Sequence, residues 1–355
     1  MENRSTKWVA GLLILFVLAL AVLGGFTAFI DPYFHYHSPL SFVKYELTNE
    51  RYQNNGIVKH LDYDAIITGS SMSECFRPSE LDELFGVKAV KVPYAGASFK
   101  EISDNLAVAL RYHPDIKMIV QCLDFNRLFD DKDQMVYEDY PDYLYDDFVW
   151  NDAGYLFNKS VLITAIQNLH GYLATKSTAM SFDDYANWDN YVTYGRAAIN
   201  AVYDHRDEVE RVEMLPITQE DYERMDQNIE QNIIRLAEEY RETEFYIYIS
   251  PYSIYCFDYW KLDGELERQL LAERYYIEKL LPYENIHMFS FFTEYDVICN
   301  ADNYRDLAHH RGEVNSQILR WMKEGTHELT YENYEEYCQK VWTFYTNYDY
   351  DSLFE

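Results

Sequence analysis

The chain has no Cys-x-x-Cys pair. Its five cysteines, Cys75, Cys122, Cys256, Cys299 and Cys338, are scattered, which excludes a zinc knuckle, a thioredoxin-type motif and a disulfide-dense scaffold. An odd count leaves at least one thiol unpaired within the chain. Basic charge is scarce as well: thirty Lys and Arg stand against sixty Asp and Glu in 355 residues, a formal charge of −30. Such a surface repels polyphosphates, so nucleic-acid binding is disfavoured. There is no internal repeat, and the many carboxylates form no Asp-x-Asp-x-Asp-Gly loop with a trailing glutamate, so they do not read as calcium sites. His35 and His37, in DPYFHYH, are too few ligands for a metal centre. No cofactor or metal is expected. What the chain does have is 48% hydrophobic residues, enough for an ordinary core, and an excess of aromatics, with 35 Tyr, 20 Phe and 6 Trp. Flat amphipathic rings suit sugars, interfaces or cores alike.

From Trp8 to Ile30 no residue is charged. A helix over this run reaches about 34 Å, enough to span a bilayer. Arg4 and Lys7 precede it and Asp31 follows, a bias that leaves the N-terminus in the cytoplasm and the remainder outside. The competing reading is a cleaved signal peptide with Ala19-Leu20-Ala21 at the cut, but the apolar run continues well past Ala21. Residues 1–30 hold Arg4 and Lys7 against Glu2, so the exported remainder carries −31.

Beyond the anchor, residues 31–325 read as one extracytoplasmic domain, followed by an acidic, Tyr-rich tail over 326–355 that either packs as a helix or hangs free. Apolar strand-like runs at Asp62–Ser70, Lys88–Val92, Ile116–Leu123, Glu244–Ser250 and Ile286–Phe291 alternate with helical patterns at Pro78–Phe85, Phe99–Tyr112, Tyr222–Tyr240 and Gly312–Glu324. Thr218 and Asp221 form a capping box before the third of these helices. The alternation predicts an α/β fold with a doubly wound, mostly parallel sheet. An insertion at about 128–215 separates the third and fourth strands. It opens with the acidic aromatic stretch FDDKDQMVYEDYPDYLYDDFVW, which reads as a solvated loop, and contains an amphipathic helix near Leu156–Ala174.

Open parallel sheets bind ligands at the C-terminal ends of their strands, which points to Gly69-Ser70-Ser71-Met72, Tyr94–Ser98, Asp124–Arg127 and the segment after Phe291. The first places hydroxyls at a strand-to-helix turn, where a nucleophile or a helix cap would sit. The last contains Asp306-Leu307-Ala308-His309. An acid three residues before a histidine can hold its Nδ1–H and leave Nε2 to deprotonate a serine. Acid-x-x-His spacing recurs by chance in so acidic a chain; its place after the last strand singles this one out. His113 and His170 lack such a setting.

These residues resemble the SGNH, or GDSL-like, hydrolases, in particular their membrane-anchored extracytoplasmic branch, which includes the alginate-type O-acetylation proteins and the D-alanyl-lipoteichoic acid transfer protein. The resemblance covers roughly 62–324. It implies Ser71 as nucleophile, with Ser70 where the family's first block carries aspartate, Asp306 orienting and His309 as base. For the oxyanion hole it implies the amides of Ser71 and Gly96 and the side chain of Asn126. The family's second-block asparagine has no counterpart in VPYAGAS, and LDFNRLF lacks the glycine of the third block. The activity implied is ester chemistry outside the membrane, as an esterase if the acyl acceptor is water or an O-acyltransferase if it is a hydroxyl of a cell-envelope glycan. The implied partner is a multi-pass membrane acyltransferase. The competing function is a non-catalytic SGNH-like subunit that binds glycan or organises such a complex; a third reading treats the motif matches as accidental.

Overall fold

The computed structural model describes residues 2–137, 140–146, 148–204, 206–208 and 210–354. The chain begins with α1 (Glu2–Ile30) and α2 (Glu50–His60), followed by β1 (Ala65–Gly69), α3 (Pro78–Phe85), β2 (Ala89–Pro93), α4 (Phe99–Tyr112) and β3 (Met118–Cys122). The insertion contributes α5 (Ala153–Leu156), α6 (Lys159–Thr175) and α7 (Arg196–Val202). Then come α8 (Gln219–Ile229), α9 (Arg235–Glu239), β4 (Glu244–Ile249), α10 (Ile254–Leu262), α11 (Leu266–Leu280), β5 (Ile286–Ser290) and α12 (Tyr295–Ile298). The chain closes with α13 (Gly312–Glu324), β6 (Glu328–Leu329) and α14 (Tyr334–Asn347). It divides into two compact units, one of residues 1–62 and 139–181, the other of 63–138 and 182–355.

In the larger unit the strands form one sheet of order β2-β1-β3-β4-β5-β6. The first five are parallel and β6 is antiparallel. Every residue of β1, β2 and β3 is buried, as parallel strands are when helices cover both faces. Alternate residues point to opposite faces. Ala65, Ile67, Met118, Val120, Tyr248 and Phe289 pack with Leu81 of α3 and with Val314, Ile318 and Leu319 of α13. On the other face Ser290 bonds Glu273 of α11, and α11 in turn meets α4 through Tyr276 and Phe99.

Local signals explain the helix limits. Pro78 opens α3, Gly86 closes it in the left-handed region, and Thr218 and Asp221 make the reciprocal capping box of α8. The helical pattern over 222–240 is interrupted by a π turn at Glu230–Ile234. The turn fits a polar anchor: Asn228, Gln231 and Asn232 donate to the main-chain carbonyls of Asp130 and Lys132.

The smaller unit is built around the end of α1, whose Ser5–Ile30 stretch is apolar and long enough to cross a membrane. Asp31 has a positive φ of 48°. Its carboxylate accepts the N–H groups of His35, Tyr36 and His37 and the hydroxyl of Tyr155, so DPYFHYH is a carboxylate-centred turn. His35 and Tyr36 reach the buried Asp152. Within the acidic aromatic stretch Asp131, Asp133, Asp142 and Asp146 are exposed, as a solvated loop requires, while Leu144 is interior and packs with Tyr33 and Tyr155. Gly56 of α2 crosses the same turn so closely that a Cβ would stand 2.1 Å from the Tyr33 carbonyl oxygen.

The tail is ordered. After β6, α14 packs on α11, and Tyr337, Glu273 and Ser290 close a buried triangle of hydrogen bonds. Burial pushes the Glu273 carboxyl up to about 7, in spite of those two hydroxyls. Because this value lies above the ordinary 4.5, the stability it contributes is full below the unfolded value and is lost as pH rises through 7. Glu273→Gln keeps an acceptor without the charge. Thermal unfolding should therefore show the variant gaining on the wild type as pH rises from about 5 to 8, by on the order of 3 kcal/mol at the upper end. A stability difference independent of pH would refute this.

Candidate active site

Strand order reverses between β1, which leads to β2 on one side, and β3 on the other. The crevice at the C-terminal ends of these strands is the expected ligand position in such a sheet. The loops after β1, β2 and β3 meet there. Gly69 ends β1 at φ +142°, and a Cβ would stand 2.6 Å from Cβ of Cys122, so only glycine lets the strand turn here. The chain then enters a short 3-10 turn, Ser71–Ser73, capped by the Ser70 side chain on the Met72 N–H. Both sequence roles for the hydroxyl pair are thus occupied: Ser70 caps, and Ser71 is free to face the crevice.

Ser71 Oγ lies 2.7 Å from Nε2 of His309. On the other side of the ring, Nδ1 lies 2.8 Å from Oδ2 of Asp306. The Asp306 carboxylate also accepts the N–H groups of Ala308 and His309, so the acid that holds the ring also shapes the loop carrying it. Burial opposes ionisation of Asp306. The hydrogen bond and charge of His309 and the two amides outweigh it and hold the carboxyl below its usual value. The Ser71, His309 and Asp306 side chains thus form one continuous hydrogen-bonded line.

The loop is pinned from below. Tyr304 and His310 bridge across it, the Tyr304 hydroxyl donates to the Pro251 carbonyl, and Ser253 Oγ donates to the Leu307 carbonyl. Buried His310 sits 2.8 Å from Ser250 Oγ, and burial drives its pKa down to about 4. Adjacent histidines therefore divide the work, His310 as a neutral core residue and His309 at the crevice.

Of the oxyanion candidates, Gly96 is exposed with φ +66° and open space around it. Among the described residues neither the Ser71 N–H nor the Gly96 N–H donates to a main-chain acceptor. Asn126 is exposed in the turn after β3, its N–H bonded to Asp124 Oδ1.

Sequence reasoning missed Asp124. It accepts from Ser70 Oγ at 2.7 Å, from the buried Tyr252 hydroxyl and from the Asn126 amide, so it ties the first loop to the third. Arg127 ties the third to the second by donating to the Gly96 carbonyl. The signal was an acid directly at the end of a buried strand. Trp188, from the insertion, was equally unforeseen. Its ring stands edge-on to His309 at 5.6 Å, with the Arg305 guanidinium over it at 4.8 Å, and neighbouring Asp189 accepts the Gly312 N–H at the start of α13. Tyr137, in the acidic aromatic stretch, is exposed. Among the described residues no group of three or more His, Cys, Asp or Glu is placed to hold a metal ion.

No protein-family model matches the chain, and no curated protein matches it.

Removing the Asp124 carboxylate leaves the buried Tyr252 hydroxyl and Ser70 without their acceptor. Asp124→Ala should cost about 3 kcal/mol in denaturant unfolding, and Tyr252→Phe about 1 kcal/mol. A variant lacking the carboxylate yet as stable as the wild type would show that the loops are held by other means.

Proposed function

We propose that the chain is a membrane-anchored serine esterase or O-acyltransferase that acts on acyl esters of a cell-envelope polysaccharide, with its main domain outside the membrane. The observation that carries this reading is the Ser71–His309–Asp306 line at the sheet's switch point, with 2.7 and 2.8 Å separations on the two sides of one imidazole. In this reading Ser71 Oγ attacks the ester carbonyl carbon as Nε2 of His309 takes its proton, and Asp306 stabilises the imidazolium that forms. The amides of Ser71 and Gly96, with the Asn126 side chain, bind the tetrahedral oxyanion. His309 then protonates the leaving alkoxide, the carbon–oxygen bond to it breaks, and an acyl group remains on Ser71. Water or a glycan hydroxyl, deprotonated by the same Nε2, attacks the acyl-enzyme and releases Ser71.

The glycan as substrate rests on the apolar N-terminal helix, the aromatic insertion and the resemblance to the extracytoplasmic SGNH branch. A multi-pass membrane acyltransferase as acyl donor rests on the resemblance alone. A second reading, a non-catalytic glycan-binding or scaffolding subunit, draws on the missing second-block asparagine and third-block glycine. Loss of one oxyanion donor costs about 10²–10³ in rate, so these gaps weaken catalysis without abolishing it.

The two readings part on reactivity. Detergent-solubilised full-length protein is treated with a fluorophosphonate probe and with p-nitrophenyl acetate, comparing wild type with Ser71→Ala, His309→Ala and Asp306→Ala. The wild type is expected to label. Ser71→Ala should not label at all, and His309→Ala should lose about 10³-fold or more in hydrolysis. Equal background hydrolysis and no labelling in all four proteins would overturn the catalytic reading in favour of the non-catalytic one.

A further inference from the structure

The smaller unit carries a feature that ester chemistry does not use. In a chain with sixty acids, no Asp or Glu occurs between Asp152 and Asp183. One other acid-free stretch has comparable length, between Glu2 and Asp31, and it is α1. The two stretches touch: α5 and α6 pack on α1. Gly24, Thr27 and Ile30 of α1 are buried while most of the helix is exposed. A Cβ on Gly24 would stand 3.2 Å from the Phe157 ring.

That contact fixes a depth. Gly24 precedes Ile30 by six residues, roughly 9 Å along the helix. The uncharged run Trp8–Ile30, about 34 Å long, barely exceeds a hydrocarbon core of about 30 Å. If α1 crosses the bilayer, Gly24 lies below the surface on the Ile30 side. Phe157, in van der Waals contact with it, lies at the same depth, and it is 48% exposed on its other side. Leading away from it, α6 presents Ile163 at 43%, Ile166 at 51% and Leu173 at 57% exposure. At helical spacing these three fall on one face. Lys159 and Lys176 mark its two ends, where long basic side chains reach anionic headgroups. Phe148, Val149 and Trp150, just before α5, are exposed as well, in keeping with an aromatic belt.

We propose that Phe157 and the Ile163–Ile166 face of α6 form a lipid-contacting element, seated at the headgroup–acyl boundary of the membrane that α1 enters. The occupant of this face is lipid. Repelling like charge from an anionic surface would account for the absence of acids, and an apolar stripe next to a spanning helix needs no other cover. This rests on α1 being in the bilayer and not on the serine reading of the other unit.

The test is photo-crosslinking of the full chain. p-Benzoylphenylalanine is placed at Ile163 or Ile166, and separately at Leu15 of α1, 65% exposed, as the control for insertion. Protein reconstituted in phosphatidylcholine–phosphatidylglycerol vesicles and protein in cell membranes are irradiated, and the tryptic peptides Ser160–Lys176 and, for the Leu15 control, Trp8–Lys44 are analysed by mass spectrometry. Lipid adducts at Ile163 and Ile166 in both settings, as at Leu15, are the expected result. No lipid adduct at Ile163 and Ile166 while Leu15 gives one overturns the proposal, as does a polypeptide adduct replacing the lipid adduct in cell membranes, which would assign the face to a protein partner. No adduct at Leu15 overturns its premise that α1 is in the bilayer.

Discussion

Long loops can cross a protein interior only if their main-chain carbonyls find donors, because an unpaired buried polar group costs about as much as a lost hydrogen bond. In this protein tyrosine supplies many of those donors. Tyr45 donates to the Ile30 carbonyl, Tyr276 to that of Leu128, Tyr304 to that of Pro251 and Tyr345 to that of Phe292. Each ring fills core volume and each hydroxyl holds a segment that regular structure leaves unpaired. Burial raises the phenol pKa of Tyr276, Tyr304 and Tyr345 far above the ordinary value, so these hydroxyls stay protonated donors at any physiological pH. Much of the tyrosine excess is thus architecture, with exposed rings such as Tyr137 and Tyr191 left over for contacts.

The candidate site depends on the same device. The Asp306–His309 loop stands at its height because Tyr304 and Ser253 tie it to the segment after β4. The other half of the site hangs on one carboxylate. Asp124, held by Tyr252, positions the turn that starts with Ser70. Trp188 and Arg305 wall the imidazole from the insertion side, so the insertion contributes to the crevice as well as to the smaller unit.

The sheet was legible because strands buried on both faces are written as near-continuous apolar runs. Ile116–Leu123 was read as a strand and Met118–Cys122 is one; the Thr218 and Asp221 box sits where its spacing put it. Two kinds of element were not legible. The two-residue β6 has no pattern of its own, and its pairing with β5 is a tertiary event. The π turn at Glu230–Ile234 keeps the hydrophobic period of a helix while serving polar anchors some hundred residues away in sequence. The acidic aromatic stretch keeps Asp131, Asp133, Asp142 and Asp146 exposed, whereas the burial of Asp152 just beyond it against His35 and Tyr36 is a tertiary event that composition does not show.

What the sequence determined by itself is everything local in origin: the apolar run of α1, the alternation of strands and helices, the Asp306-x-x-His309 spacing and the paired hydroxyls at Ser70 and Ser71. These follow from periodicity, capping and turn chemistry, which act over a few residues. Only the tertiary structure decided that Ser71 and His309, 238 residues apart, stand 2.7 Å from each other. The same holds for Asp124 as the hub of three loops and for the packing of residues 139–181 against the end of α1. The reason is physical. Such contacts are set by strand order and by the burial of polar groups against distant partners, and neither leaves a periodic trace in the chain.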